Sequence, residues 1–270
     1  MTKTKIIILA IIFALAFPAF AAKENKLGYD TSQKVSAVLN GKKKKYNAPV
    51  DSSVYQTIFN LPDYTCQGYP TLADCYNDRL LGRSDQKEAI QLLVNWIRKK
   101  NKKPDSRARI AVSLVQKIPY DTEWYEHGDT SNRGHSTRYP YETLYENKGI
   151  CSHKSFLMVL LLKELGFGTA TMIFDEPELH QVAGVKCSSA YDFQDTGYCF
   201  IGPNYRRMIT SAGYYEGQNP DDLIILSDGR TFNAKNDWKD AQTWRRLLKE
   251  GTSSSKNYKK YKKLVKKYGI

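Results

Sequence analysis

The sequence predicts an α+β domain, and three observations predict it. From Phe156 to Leu162 every residue is apolar, so a helix there is hydrophobic on all sides and belongs in the middle of a domain. Two segments ahead of it carry apolar residues at helical spacing. Behind it, short runs of β-forming residues separated by turn signals read as an antiparallel meander packed on that helix.

The central helix is marked at both ends. Gly149 gives a backbone turn before it, and Gly166, directly after Leu165, stands where a left-handed C-terminal cap is usual. The apolar run is far shorter than the roughly 20 residues that span a bilayer. Cys151 then falls in the first helical turn, where unpaired backbone N–H groups and the positive end of the helix dipole favour a thiolate. A cysteine in such a place is either a nucleophile or simply a packed core residue, and position alone leaves both readings open.

The chain opens with two lysines within Met1–Lys5, an apolar run from Ile6 to Phe17, and Ala19-Phe20-Ala21. This is the pattern of a removable signal peptide over residues 1–21, with the mature chain starting near Ala22 in a secreted, periplasmic or envelope location. The formal net charge is +13, which favours adhesion to anionic surfaces and says little of fold. Residues 22–50, with the run Lys42-Lys43-Lys44-Lys45, show no helical or strand period and read as a mobile basic arm or an irregular wrap.

Ile90, Leu93, Val94 and Ile97 behind Ser84-Asp85 make one helical face, and Ala111, Leu114, Val115 and Ile118 behind Pro104-Asp105 make a second that Pro119 ends. Residues 120–148, rich in Asp, Glu, Gly and Tyr, read as a long surface connection. Strands are expected over residues 169–174, 180–186 and 197–201, with Asp175-Glu176-Pro177-Glu178 as a turn and Leu223–Leu226 as a short last strand. A helix follows from Trp238 to Lys249. In the tail from Lys256, Tyr258, Tyr261, Leu264, Val265 and Tyr268 fall at helical spacing and leave the lysines on the other face. The expected division is 22–104 for a basic arm with a helical extension, 105–230 for the core, and 231–270 for a C-terminal helix and basic tail.

Five cysteines are an odd number for an oxidising compartment. Cys66 and Cys75 lie close together in a loop-like stretch, and Cys187 and Cys199 flank a polar segment between two strands. That pairing leaves Cys151 over, although spacing by itself does not fix connectivity. The histidines are scattered, no CxxC pair occurs and no glycine loop is shaped for phosphate, so no metal or cofactor is expected. Nucleic-acid binding would rest on charge alone.

A cysteine nucleophile needs a base. His153 is two residues from Cys151 on the same helix, and residues two apart do not face each other. His180 opens a strand that is expected to pack on the helix, so its ring can point at the helix mouth. A Cys-His couple formed this way attacks amide or ester carbonyls.

Arg138-Tyr139-Pro140-Tyr141-Glu142-Thr143-Leu144, Gly149-Ile150-Cys151 with its apolar helix, Leu165-Gly166, the following strand and His180 together resemble the transglutaminase-like superfamily of papain-type fold, over roughly residues 105–205. The resemblance implies an acyl-enzyme chemistry with Cys151 as nucleophile and His180 as base but no particular substrate; the expected targets are amide bonds of peptides, protein side chains or wall peptides. It also implies an acid on the next strand, and there Gly202 stands instead. Asn204, two residues on, is the replacement that would hold the imidazole by its side-chain carbonyl, with Asp192 and Asp195 as weaker alternatives. Trp124, Tyr139 and Gln181 are candidate wall or donor residues. Two other readings stand beside the enzyme. One is a catalytically silent module of this fold that binds an anionic membrane or wall polymer through its basic arm and tail. The other is a disulfide-stapled envelope protein in which Cys151 only packs.

Overall fold

The computed structural model describes residues 30–176 and 178–270; the expected signal peptide lies outside the described residues. The chain starts with β1 (Thr31–Leu39) and β2 (Lys42–Val50), followed by α1 (Ser52–Phe59), α2 (Leu72–Tyr76), α3 (Ser84–Lys100) and α4 (Pro104–Gln116). Short helices α5 (Thr122–His127) and α6 (Pro140–Glu146) lead into α7 (Cys151–Glu164). Then come β3 (Thr169–Phe174), β4 (His180–Lys186), β5 (Tyr198–Ile201) and β6 (Asp222–Ser227), and the chain closes with α8 (Lys235–Glu250) and α9 (Ser255–Tyr268).

The fold is α+β, with the expected buried helix on an antiparallel sheet ordered β5-β4-β3-β6. Helix α7 is buried from His153 to Leu162. Ala183, Val185, Ile201, Ile224 and Leu226 from one face of the sheet join α7 and the helices around it in one core. The other face, with Met172, Phe174, Val182 and Phe200, closes a second, smaller core against Ala212 and Tyr215. Because strand side chains alternate between faces, both faces of this sheet are apolar and its strands read as nearly continuous hydrophobic runs. Gly166 takes φ +88°, and the N–H groups of Gly166 and Phe167 return to the carbonyls of Lys163 and Leu162, so the helix ends in the left-handed cap its sequence marks.

Residues 31–50 correct the expectation of a mobile arm. They form a regular antiparallel hairpin, with Asn40 and Gly41 both at positive φ in a two-residue turn. Val35, Ala37, Leu39, Ala48 and Val50 face the core, while the lysines from 42 to 45 point outward or sit half-buried. The lysine run hid the strand alternation, although Asn-Gly was a hairpin signal in plain sight. The tail is the expected helix, but its apolar stripe is already used: Leu264 packs with Met208, Ala241 and Leu247, and Tyr261 stacks on Trp244 of α8 with ring centroids 5.4 Å apart.

Residues 120–148 also differ from the surface connection expected of them. Arg133, His135, Arg138, Tyr139, Tyr141 and Glu142 are all buried. Arg133 pairs with Asp129 at 2.6 Å, Glu142 at 2.6 Å and Glu146 at 3.0 Å, and Arg138 pairs with Asp121 at 2.5 Å and Glu146 at 2.7 Å. Both guanidinium groups cover the Trp124 ring, at 4.8 and 4.5 Å from its centroid. A charged sequence reads as solvated unless its partners are known, and here each guanidinium is shared among carboxylates inside the fold. The Trp124 edge meets the buried His153 ring, with centroids 4.7 Å apart. The network therefore presses directly on the first turn of α7. Removing one member leaves the others buried and unpaired, so Arg133→Met should lower stability by about 3–5 kcal/mol in urea unfolding. A loss below about 1 kcal/mol would mean that the carboxylates find water instead.

Candidate functional site

The segment ahead of Cys151 is set by a short parallel pairing. Asp121 N–H donates to Gly149 O at 3.3 Å and Gly149 N–H donates to Pro119 O at 3.2 Å, which brings Tyr120 beside the start of α7. A Cβ at position 149 would lie 3.1 Å from His153 Cβ and 3.2 Å from Thr143 Cγ2, so glycine is required there by close approach. Cys151 is the first residue of α7. Lys154, one turn on and fully buried, donates from Nζ to Ile118 O at 2.8 Å and ties the helix to the end of α4. Burial pulls its ammonium down to about 8, against the usual lysine range, with Arg206 adding to the effect.

Strand β5 makes the opening. It pairs with β4 only as far as Ala183↔Ile201, and then Gly202-Pro203 leaves the sheet, proline having no N–H to donate to a ladder. The β4 edge at Gln181 is thereby released. Helix α7 fills it: Ser155 Oγ donates to Gln181 O at 3.1 Å, and the backbone N–H of Gln181 faces the Cys151 sulfur, together with those of Ser152 and Cys151 itself.

A cavity of about 590 Å³ opens at this point. Cys151, His180 and Asn204 all line it, with Gly202, Phe200 and Tyr215 in the same wall. His180 begins β4 on the face opposite α7, and its ring stacks on Tyr215 with centroids 5.0 Å apart and planes 6° from parallel. Asn204 Oδ1 is buried without a hydrogen-bond partner among the described residues. A buried amide oxygen with nothing to accept is costly and in need of an explanation. Asp192 is instead a turn residue that accepts from Gly197 N–H at 2.7 Å, and Asp195 sits in the same turn at positive φ.

Two residues that sequence reasoning passed over stand in the cavity. Glu178 was read only as part of a turn, yet it is the carboxylate in the cavity wall, and Tyr125 Oη donates to its Oε2 at 2.9 Å. Tyr215 supplies the surface on which the His180 ring lies. Neither had a local signal, because both arrive through loops whose course depends on the sheet. Of the expected wall residues, Trp124 belongs to the ion network, Tyr139 is buried in the core, and the Gln181 side chain donates to Thr171 Oγ1 at 2.7 Å. His153 packs away from the cavity against Trp124, and burial holds its imidazole well below its ordinary range.

The electrostatics correct one expectation. Burial pushes the Cys151 thiol up, and the Glu178 charge adds to it, while the three backbone N–H groups pull it back only in part. Burial thus outweighs these N–H groups and favours the thiol over the thiolate. Burial holds the His180 imidazole below its ordinary range, with Glu178 opposing, so it is neutral near pH 7. The site holds a neutral thiol and a neutral imidazole. Among the described residues no group of three or more His, Cys, Asp or Glu is disposed to hold a metal ion.

The disulfides are Cys66–Cys75 and Cys187–Cys199, and Cys151 is free, as the spacing suggests. No protein-family model matches the chain, and no curated protein sequence matches it. The fold and the cavity define an α+β protein with a cysteine at the mouth of a buried helix and a histidine at the start of the adjoining strand. Among solved structures, the chain is similar to calcium-bound LapG of Legionella pneumophila, with a TM-score of 0.33 and 14% identity, over 64% of this chain and 95% of that one. It is also similar to a TGase, with a TM-score of 0.32 and 13% identity over 76% of this chain and 49% of that one. A third likeness is to a chain from Cytophaga hutchinsonii provisionally described as a cysteine protease, with a TM-score of 0.23 and 13% identity over 69% of this chain and 50% of that one. The chain spans about half the length of the last two. At TM-scores this low the likenesses carry no weight in reading the site.

A raised thiol leaves less thiolate at neutral pH than an exposed cysteine has. Iodoacetamide should therefore modify Cys151 more slowly than free cysteine at pH 7, and its rate should keep rising at pH values where free cysteine has levelled off. Glu178→Gln removes a negative neighbour and should shift that rise to lower pH. A rate that levels off below the ordinary thiol range would show that the helix terminus outweighs burial.

Proposed function

We propose that the chain is a thiol-dependent hydrolase or acyl transferase acting on amide bonds of peptides or proteins, with Cys151 as nucleophile and His180 as base. What carries the reading is that both side chains and the unpartnered Asn204 carbonyl line one cavity at the N-terminus of α7. In this mechanism the neutral imidazole takes the thiol proton as Sγ attacks the amide carbon, so charge forms only as the bond forms. The backbone N–H of Cys151 meets the oxyanion at the helix start, where the dipole favours negative charge. The imidazolium then gives its proton to the leaving amine, and water or a second amine resolves the thioester.

Asn204 is the orienting group in this reading. Its Oδ1 accepts from the His180 ring once substrate closes the cavity, which gives the buried oxygen its missing partner. Tyr215 holds the ring by stacking until then. The negative charge of Glu178 stabilises the imidazolium. The two disulfides suit an oxidising, exported location. A second reading, a silent module of the same fold, draws on Gly202, which leaves the usual acid position without a carboxylate.

Turnover of a peptide p-nitroanilide or of a glutamine-donor amide separates the two. Cys151→Ala should abolish it, and His180→Ala should lower it by at least about 100-fold, the scale of lost general-base catalysis. Asn204→Ala should lower kcat with the fold intact. A Cβ at position 202 meets only Phe200 Cε1, at 3.6 Å, so Gly202→Asp is accommodated and should raise kcat. Turnover unchanged in Cys151→Ala would sink the proposal, and no turnover of any amide would favour the silent module.

A further inference from the structure

Four segments far apart in sequence meet beside the cavity. The hairpin turn is fixed to the end of α9, since Gly41 N–H donates to Lys267 O at 3.0 Å and the Lys266 stem lies against Gly41. Arg206 Nη1 donates to Gly269 O at 3.1 Å, which brings the loop after β5 to the same place. The end of α4 joins them through Gln116, whose Nε2 donates to Gly202 O at 2.9 Å and whose Oε1 accepts from Arg207 N–H at 3.3 Å. Each of these contacts involves main-chain atoms. The cations carried there, Lys43, Lys117, Arg206 and Lys266, have no ion-pair partner among the described residues, and Lys43, Arg206 and Lys266 are exposed. Lys117 is half-buried, and burial, then Arg206 and Lys43, hold its ammonium below the usual range. Like charges are thus held together at a cost that an anion would relieve.

The patch adjoins the cavity through the loop that carries Arg206. Tyr205 and Arg207, flanking Arg206, line it, and the Arg207 guanidinium lies over the Tyr205 ring at 5.1 Å. Exposed apolar side chains rim the opening: Leu179 at 71%, Tyr214 at 68% and Tyr205 at 67% exposure. Such a rim gives an extended chain something to lie on, next to a region that selects negative charge. We propose that Lys43, Lys117, Arg206 and Lys266 form a docking surface for an acidic stretch of the polypeptide substrate, lying beside the amide that enters the cavity. This rests on the amide chemistry proposed above. A polypeptide is favoured over a bilayer or a duplex because the patch adjoins a concave site lined by the half-buried thiol.

The test is fluorescence anisotropy of a labelled oligoglutamate peptide against the chain from residue 22, with oligoglutamine as the neutral control. Oligoglutamate should bind at low salt and oligoglutamine should not. Lys117→Glu with Arg206→Glu should weaken binding about ten-fold, as removal of several exposed pairings implies. Lys102→Glu with Lys103→Glu makes the same charge change between α3 and α4, and it should leave binding within about two-fold. Circular dichroism and Tm confirm the fold of both variants. Saturating oligoglutamate should also slow iodoacetamide modification of Cys151. Equal weakening by the two variants would overturn the proposal, as would oligoglutamate binding that leaves Cys151 unprotected. So would tighter, patch-dependent binding of phosphatidylglycerol vesicles or duplex DNA. Should Cys151 support no turnover, the function proposed above fails by that measurement alone, while loss of oligoglutamate binding in the patch variant is still read directly.

Discussion

A helix that is apolar all round has to be enclosed, and the remaining structure follows from enclosing α7. The sheet covers one side, while α3, α4 and α6 cover others. Enclosure leaves the N-terminus of the helix as its open end, because β5 stops short of it at Ile201 and Pro203 cannot extend the ladder. The cavity is thus the place where a complete covering of α7 stops. Cys151 stands there because it is the residue with which the helix begins.

Enclosure also explains the ion network. The N-terminal turn of α7 needs a wall, and the segment available carries Asp121, Asp129, Arg133, Arg138, Glu142 and Glu146 rather than apolar residues. Burying these charges singly would be prohibitive; buried together, with both guanidinium groups over Trp124, they pair with one another and leave only Arg138 Nε without a hydrogen-bond partner among their side chains. Glu142 shows the balance of terms. Burial pushes its carboxyl up to about 7, although Arg133 pulls it the other way. Such a wall is rigid and exacting in geometry, which suits a segment that fixes Gly149 and hence the position of the thiol.

Burial is therefore the dominant influence at the site itself. It outweighs the helix terminus at Cys151, holds His180 neutral and leaves the Asn204 oxygen without a partner. A resting pair of neutral groups avoids the cost of an isolated ion pair in a poorly solvated place.

The sequence by itself determined the elements whose signals are local. The all-apolar run with Gly149 and Gly166 marked α7, the amphipathic spacing marked α3, α4 and α9, and the order Cys151, strand, His180 placed these two side chains at the starts of a helix and a strand that pack together. Cysteine spacing anticipated both disulfides. What the sequence obscured were segments whose charge masks their burial. The lysines of β2 hid a hairpin that Asn40-Gly41 announced, and the charged residues between 120 and 148 looked solvated because their partners lie on other turns of the chain. Only the tertiary structure decided that Glu178 and Tyr215 reach the cavity, that burial outweighs the nearby backbone N–H groups at Cys151, and that the hairpin turn and the end of α9 come together. Each of these depends on long-range packing and on the loss of solvent around a group, and neither quantity is a property of neighbouring residues.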